Sequence, residues 1–284
     1  MRIGNNPLRA NQVPELPTRI MSVITHLPNQ NGYHAHRLDI IKVCLESMRF
    51  GAPGIPVIVW DNGSCKELTD WLQNDYHAET LILSPNIGKS NARVALFSMV
   101  RTDAIMALCD DDMLFFPGWF DASQEILETF PGVGKVSCYP VRTLGRRGCT
   151  ATKDWAKKNA KLEVGKFISE NDDYDFCTSV ELPYEWHLND TKDEMDFRVT
   201  YKGVQAYCHG HHCQFMARVG TILPLLSRSE AAMANEHPFT IAVDEAGLLQ
   251  LTTTKRYSRH IGNIIDNKVM EDIIGMGLLK KEVI

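Results

Sequence analysis

Several features that would define a function outright are missing from this 284-residue sequence. No apolar run approaches the roughly 18–20 residues of a membrane-spanning helix. The opening stretch MRIGNNPLRANQVPELPTRI has no apolar h-region, so no signal peptide is expected. There is no basic excess. Lys plus Arg is 30 against 35 Asp plus Glu, a net charge of −5, which argues against a protein built to coat nucleic acid. It leaves a small phosphate-bearing ligand open, because that needs only a local site. Nucleic acid is not expected as a partner, yet is not excluded as an acceptor. Internal repeats and low-complexity tracts are absent, so solenoid and linker architectures are not expected. The eight cysteines are scattered, several inside apolar segments, without a paired-disulfide spacing. They are expected to be reduced and buried in a cytoplasmic protein.

What is present is an alternation of strand and helix signals. Residues 1–18, with Pro7, Pro14 and Pro17, read as an extended arm. Ile20–Ile24, Pro56–Trp60, Thr80–Leu83 and Ala104–Cys109 read as apolar strands. Between them, residues 35–50 put Leu38, Ile41, Cys44, Leu45 and Met48 on one helical stripe. Residues 65–73, the segment after Lys89 and the segment around Trp119–Phe130 also read as helices. Strands that are apolar throughout imply a mostly parallel, Rossmann-like α/β sheet with helices on both faces. Residues 19–263 form the expected single domain. Residues 142–205, charged and weakly periodic, read as an irregular insertion, and Cys213–Val219 as a return strand. A helix is expected from about Thr240 to Leu251, and 264–284 as an amphipathic helical tail able to meet a surface.

Ligands of such sheets bind beyond the carboxyl ends of the strands. Four polar clusters follow strands here: Thr25, Asp61-Asn62-Gly63-Ser64, Asn86-Ile87-Gly88-Lys89, and Asp110-Asp111-Asp112. All are expected on that one edge. Three adjacent carboxylates are costly unless a cation compensates them. With side chains alternating at a strand end, Asp110 and Asp112 are expected to face one ligand and Asp111 another. Hard oxygens of this kind suit Mn²⁺ or Mg²⁺ carrying a phosphate. A solvated acidic turn is the competing reading.

These motifs resemble family-2 glycosyltransferases, which have the GT-A fold. Val57-Ile58-Val59-Trp60-Asp61-Asn62-Gly63-Ser64 is similar to the family's second-strand motif. Asn86-Ile87-Gly88-Lys89-Ser90-Asn91-Ala92-Arg93 is similar to its N-x-G-x-x-x-A-R pattern, and Asp110-Asp111-Asp112 to its DxD. The resemblance covers about 20–137 and, more loosely, 205–263. It implies inverting transfer of a sugar from a nucleoside-diphosphate sugar, UDP-linked first and GDP-linked second, to an acceptor hydroxyl. It implies donor contacts from Thr25, Asp61, Asn62, Lys89, Arg93, Asp110 and Asp111. Asp112 is the implied metal ligand and His260, in Tyr257-Ser258-Arg259-His260-Ile261-Gly262-Asn263, the second. A late acidic pair, Asp244-Glu245, is the implied general base, expected to open a helix. Which of the two acts is open.

Cys208-His209-Gly210-His211-His212-Cys213 allows three readings: a zinc site, a strand lead-in with buried thiols, or a wall of the acceptor and sugar pocket. His211 and His212 are the pocket candidates. Trp186, in the insertion, either stacks on a sugar or packs locally. Two alternatives stand beside transfer: a non-catalytic nucleotide- or sugar-binding module, and a sugar nucleotidyltransferase. The second usually carries a Gly-rich loop after the first strand, where this chain has Thr25-His26-Leu27-Pro28-Asn29.

Overall fold

A computed structural model describes residues 15–142, 149–229 and 237–278. The first half alternates β1 (Arg19–Thr25), α1 (Arg37–Gly51), β2 (Val57–Asn62), α2 (Lys66–Trp71), β3 (Thr80–Ser84), α3 (Lys89–Ser98), β4 (Ile105–Cys109), β5 (Met113–Phe115), α4 (Trp119–Thr129) and β6 (Val133–Ser137). The second half contains α5 (Thr150–Asn159), β7 (Lys161–Gly165), α6 (Glu170–Ser179), α7 (Tyr184–Thr191), β8 (Asp196–Tyr201), β9 (Val204–Tyr207) and β10 (Gln214–Arg218). It ends with α8 (Val219–Ser229), α9 (His237–Glu245), β11 (Leu249–Thr253), β12 (Ser258–His260) and α10 (Asn267–Gly275).

Ten of the twelve described strands form one sheet in the order β3-β2-β1-β4-β10-β6-β11-β9-β8-β7, and β5 and β12 form a separate ribbon. β1 to β4 run parallel, β10 is antiparallel to both its neighbours, and β6 and β11 run parallel to each other. This is the expected α/β architecture with helices on both faces, with a mixed rather than mostly parallel sheet. Alternate residues of β1 explain why both faces are covered. Met21 and Val23 pack with Ile41, Leu45 and Trp119 on one side. Ile20 and Ile24 pack with Leu96, Phe97 and Phe239 on the other. All eight cysteines are free, and all but Cys65 are buried.

Two further expectations are corrected. Residues 142–205 are not irregular: the described part builds α5–α7 and the antiparallel strands β7–β9, which extend the sheet. Its charges hid the order, because they pair internally, as Arg142 does with Asp173 and with Asp196 (3.3 Å). The late helix ends at Glu245, and 249–253 is a buried strand. The tail forms a helix as expected over Asn267–Gly275, and α10 buries Val269 and Ile273 against Ile40, Leu114 and Ile261. Residues 1–14 of the arm and 279–284 of the tail lie outside the described residues. Among the described residues, no helix is long and apolar enough to cross a membrane.

Candidate functional site

The carboxyl ends of β1, β2, β3 and β4 open into a cavity of about 430 Å³. Its wall includes His26, Arg37, Asn62, Lys89 and Asp110 to Asp112. Local chemistry shapes each contributing loop. After β2 the chain turns at Gly63 (φ +82°), where a Cβ would lie 2.7 Å from the Asn86 amide nitrogen. Only glycine satisfies both that backbone conformation and that approach. Asn62 accepts from the Ile87 amide (2.9 Å) and donates to Asn86 Oδ1 (3.1 Å), which ties the second and third loops together. His26 Nδ1 lies 3.0 Å from the Asn62 carbonyl, so that nitrogen carries the proton.

The acidic triple emerges from a fully buried strand. The Asp110 amide closes the ladder on the Cys213 carbonyl (2.7 Å). The backbone then leaves the sheet and pairs β5 with β12, His260 standing opposite Met113, and the Ile261 amide donates to the Asp112 carbonyl (2.8 Å). This small ribbon carries residue 260 to residue 112 across almost 150 positions of sequence.

The three carboxylates do not alternate as expected. Asp110 pairs with Lys89 (2.9 Å), whereas Asp111 and Asp112 share Arg37. Arg37 Nη1 donates to Asp112 Oδ2 (3.0 Å), Nη2 donates to Asp111 Oδ1, and the His26 amide donates to Asp111 Oδ2 (3.2 Å). The correction has a plain cause: the residues have left the strand, and one bidentate cation between two carboxylates settles their directions. Burial would lower the Arg37 guanidinium's pKa, but Asp111 and Asp112 outweigh it and hold it raised. Burial pushes the Asp111 carboxyl up despite Arg37. At Asp112 burial is outweighed by His260 and Arg37, and its carboxyl is held well below the usual range.

The other oxygen of Asp112, Oδ1, is buried and accepts no hydrogen bond. It faces His260 Nε2 at 3.5 Å, too long for a good hydrogen bond. Burial would lower the imidazole's pKa, but Asp112 outweighs it and raises it. An orphaned carboxylate oxygen opposite an imidazole nitrogen is a donor pair that fits a divalent ion such as Mn²⁺. The spacing also fits two ligands held about 2.1 Å from one centre.

The structure brings Asn62, Lys89, Asp110, Asp111, Asp112 and His260 to this edge. Thr25 and Asp61 sit behind the wall. They are buried, Thr25 Oγ1 donates to Asp61 Oδ1 (3.1 Å), and the Ser64 amide donates to Asp61 Oδ2 (3.0 Å), so Asp61 fixes the turn. Arg93 is buried on α3, away from the wall. His211 and His212 precede β10 on the same edge, with the His211 ring 5.4 Å from that of Tyr139. The ligating atoms of His211, His212 and Cys213 lie within 4.8 Å of one another, yet His211 Nδ1 already accepts from the amides of His212 and Cys213 (3.0 Å each). Cys208 and His209 stand apart from that group. Trp186 is exposed on α7 and does not line the cavity.

The expected base pair is also corrected. Asp244 and Glu245 close α9 rather than open a helix. They lead into β11, whose Leu249 amide bonds the Gly132 carbonyl just before β6. Both strands run parallel to β4, so the pair sits at the amino edge, opposite the acidic triple. Asp244 Oδ1 accepts from the Ala151 amide (2.9 Å) in the first turn of α5, a capping role. Sequence reasoning missed His26, Tyr33, His34 and above all Arg37. Arg37 opens the helix after β1, on the same edge as the motifs; the need for a cation beside three carboxylates was the signal for it.

Residues 33–147 match the model of glycosyl transferase family 2. Among solved structures, a mannosyltransferase from Pyrobaculum calidifontis in complex with GDP-Man and Mn²⁺ aligns at 20% identity and TM-score 0.32 over 43% of this chain. The alignment spans only 35% of that protein. A CMP:2-keto-3-deoxy-manno-octonic acid synthetase complexed with CTP aligns at 11% identity and TM-score 0.49, over 94% of this chain and 100% of that one. No curated protein sequence matches the chain.

Proposed function

We propose that this chain, which carries a glycosyl transferase family 2 segment at residues 33–147, transfers a sugar from a nucleoside-diphosphate sugar to an acceptor hydroxyl with inversion. The observation that carries the reading is the orphaned, buried Asp112 Oδ1 facing His260 Nε2 just behind the wall of a cavity lined by Lys89, Arg37 and Asp112. Asp112 and His260 would hold Mn²⁺ or Mg²⁺. When bound, such an ion acts as a Lewis acid on the departing diphosphate. Lys89 and Arg37 add fixed positive charge where the leaving group gains negative charge, in a partly enclosed site where such charge counts for more than in water. Arg37 and Lys89 also keep the acidic triple from repelling an anionic donor. Asn62, Asn86 and His26 form a connected polar wall suited to the nucleoside. Asp244 and Glu245 are withdrawn from the base role; of the wall carboxylates Asp110, Asp111 and Asp112, Asp112 is taken by the ion, so Asp110 or Asp111 takes the proton that the acceptor hydroxyl loses. UDP-linked donors come first and GDP-linked donors second, and we place the reaction in the cytoplasm.

The test is a thermal-shift panel of UDP, GDP, CDP, TDP and ADP, with and without Mn²⁺, on the wild type and Asp112→Asn. A ligand bound only by the native state at 100 times its Kd adds about 2.7 kcal/mol. One nucleotide should raise the melting temperature, need Mn²⁺, and lose its effect in the variant. A folded protein that responds to none of them overturns the reading. Binding without turnover of the matching donor sugars would favour a binding module instead.

A further inference from the structure

The residue that completes this site comes from a helix outside the matched family segment. Ser179 is the last residue of α6. Its Oγ lies 2.7 Å from the Phe176 carbonyl oxygen and 2.9 Å from His260 Nδ1. Two oxygens at 2.7 Å need a hydrogen between them, and the carbonyl has none to give. The Ser179 hydroxyl therefore donates to Phe176. Having spent its one proton, Oγ can only accept from His260, which puts a proton on Nδ1. In the neutral ring Nε2 then points its lone pair at the equally electron-rich Oδ1 of Asp112, 3.5 Å away. A proton on Nε2 or a bound metal ion reconciles those two atoms, and the neutral imidazole with Nδ1 protonated is the form that ligates a metal through Nε2.

The helix that delivers Ser179 is anchored to the segment that carries His260. Asp175, buried on α6, accepts from Arg256 Nη1 (2.6 Å) and Lys268 Nζ (2.6 Å). Arg256 also pairs with Asp172 (2.9 Å). At Gly262, two residues after the histidine, a Cβ would lie 2.0 Å from the Ser179 carbonyl oxygen. These contacts clamp α6 onto 256–268 from both sides of His260 and leave the hydroxyl little freedom to move away.

We propose that Ser179 is a positioning residue that fixes the Nδ1-protonated tautomer of His260, making α6 part of the metal site rather than an appendage to the fold. The proposal rests on the reading that Asp112 and His260 hold a divalent ion. Partners of this kind typically govern about 10–100-fold in metal affinity.

Two measurements test it. The first reads the imidazole ¹⁵N shifts of the metal-free wild type, with His260 assigned by its loss in His260→Gln. In the neutral ring, read above its titration, protonation at Nδ1 is expected, and a neutral ring protonated at Nε2 overturns the proposal without touching the metal reading. The second titrates Mn²⁺ by the paramagnetic resonance of the free ion against wild type, Ser179→Ala, Ser179→Thr and Thr178→Ala. Thr178 lies on the same helix and back-bonds to Tyr174 in the same manner (3.0 Å), so it controls for helix perturbation. Ser179→Ala should weaken Mn²⁺ binding about 10–100-fold, Ser179→Thr should restore most of it, and Thr178→Ala should change nothing. Ser179→Ala binding Mn²⁺ as the wild type does sinks the positioning role. A wild type that is Nδ1-protonated and binds no Mn²⁺ overturns the metal reading and the role built on it.

Discussion

Arg37 and Asp112 are joined through one carboxylate oxygen only: Nη1 donates to Oδ2 at 3.0 Å, and Oδ1 is left without a donor. The guanidinium thus neutralises the acidic triple while leaving the oxygen that faces His260 available. Removing one partner of a buried ion pair typically costs about 3–5 kcal/mol, because it strands the other charge. Arg37→Met should therefore lower stability in urea by about 3 kcal/mol. It also removes a positive charge that repels an incoming ion. Adding Mn²⁺ should narrow the gap between variant and wild type. A gap unchanged by Mn²⁺ would mean that Arg37 and the ion act on separate groups.

Gly262 separates backbone strain from crowding. Its φ is +74°, and a Cβ there would meet the backbone of α6. Gly118, at φ +82° and ψ +6°, meets only Tyr257 Cε1 at the corresponding position, at an ordinary contact distance of 3.8 Å. A left-handed conformation costs an L-residue about 1–2 kcal/mol by itself. Gly118→Ala should cost about that much, and Gly262→Ala clearly more, since α6 must also shift. Chemical denaturation of the two variants compares them directly, and equal losses would show that α6 is not held at Gly262.

The first half of this chain was legible because each strand there is apolar and each motif follows a strand. Order alone put Asn62, Lys89 and Asp110 on one edge. Arg37 escaped notice because a lone arginine at a helix start carries no pattern; only the shared pairing with Asp111 and Asp112 reveals its use. Asp244 misled for the opposite reason. An acidic pair near a helix matches a motif whichever end of the helix it occupies, and only strand direction separates the two edges. Residues 142–205 looked irregular because salt bridges such as Arg142–Asp173 satisfy charges that read as solvated.

His209 makes an acid-sensitive spot away from the cavity. It is 3% exposed, and neither ring nitrogen finds a hydrogen-bond partner. Burial first, then Lys153 and Lys135, pull its pKa down to about 3. In the unfolded chain the ring takes its proton near pH 6.5. Between those values the unfolded state binds the extra proton, so stability rises with pH through this window. His209's contribution is complete above about pH 6.5 and is lost as pH falls toward 3. His209→Leu should flatten the stability curve across that range, read from urea midpoints at several pH values. An equally steep curve would locate the acid sensitivity elsewhere.

Asp244 and Glu245 supply the sharpest test of which sheet edge carries the chemistry. Asp244 caps α5 through the Ala151 amide, and Glu245 is exposed. Loss of a capping side chain costs about 1 kcal/mol. Asp244→Ala should lower stability by about that amount, and Glu245→Gln should leave it unchanged. Neither should lower the turnover of a matched donor and acceptor at a temperature where both variants are folded. Asp112→Asn, at the carboxyl edge, should abolish it. A loss of about 10²-fold or more in kcat for Glu245→Gln is the size expected of a missing general base. It would return the base to α9 and require that helix to reach the cavity in the donor-bound protein, a movement that the parallel course of β11 and β4 opposes.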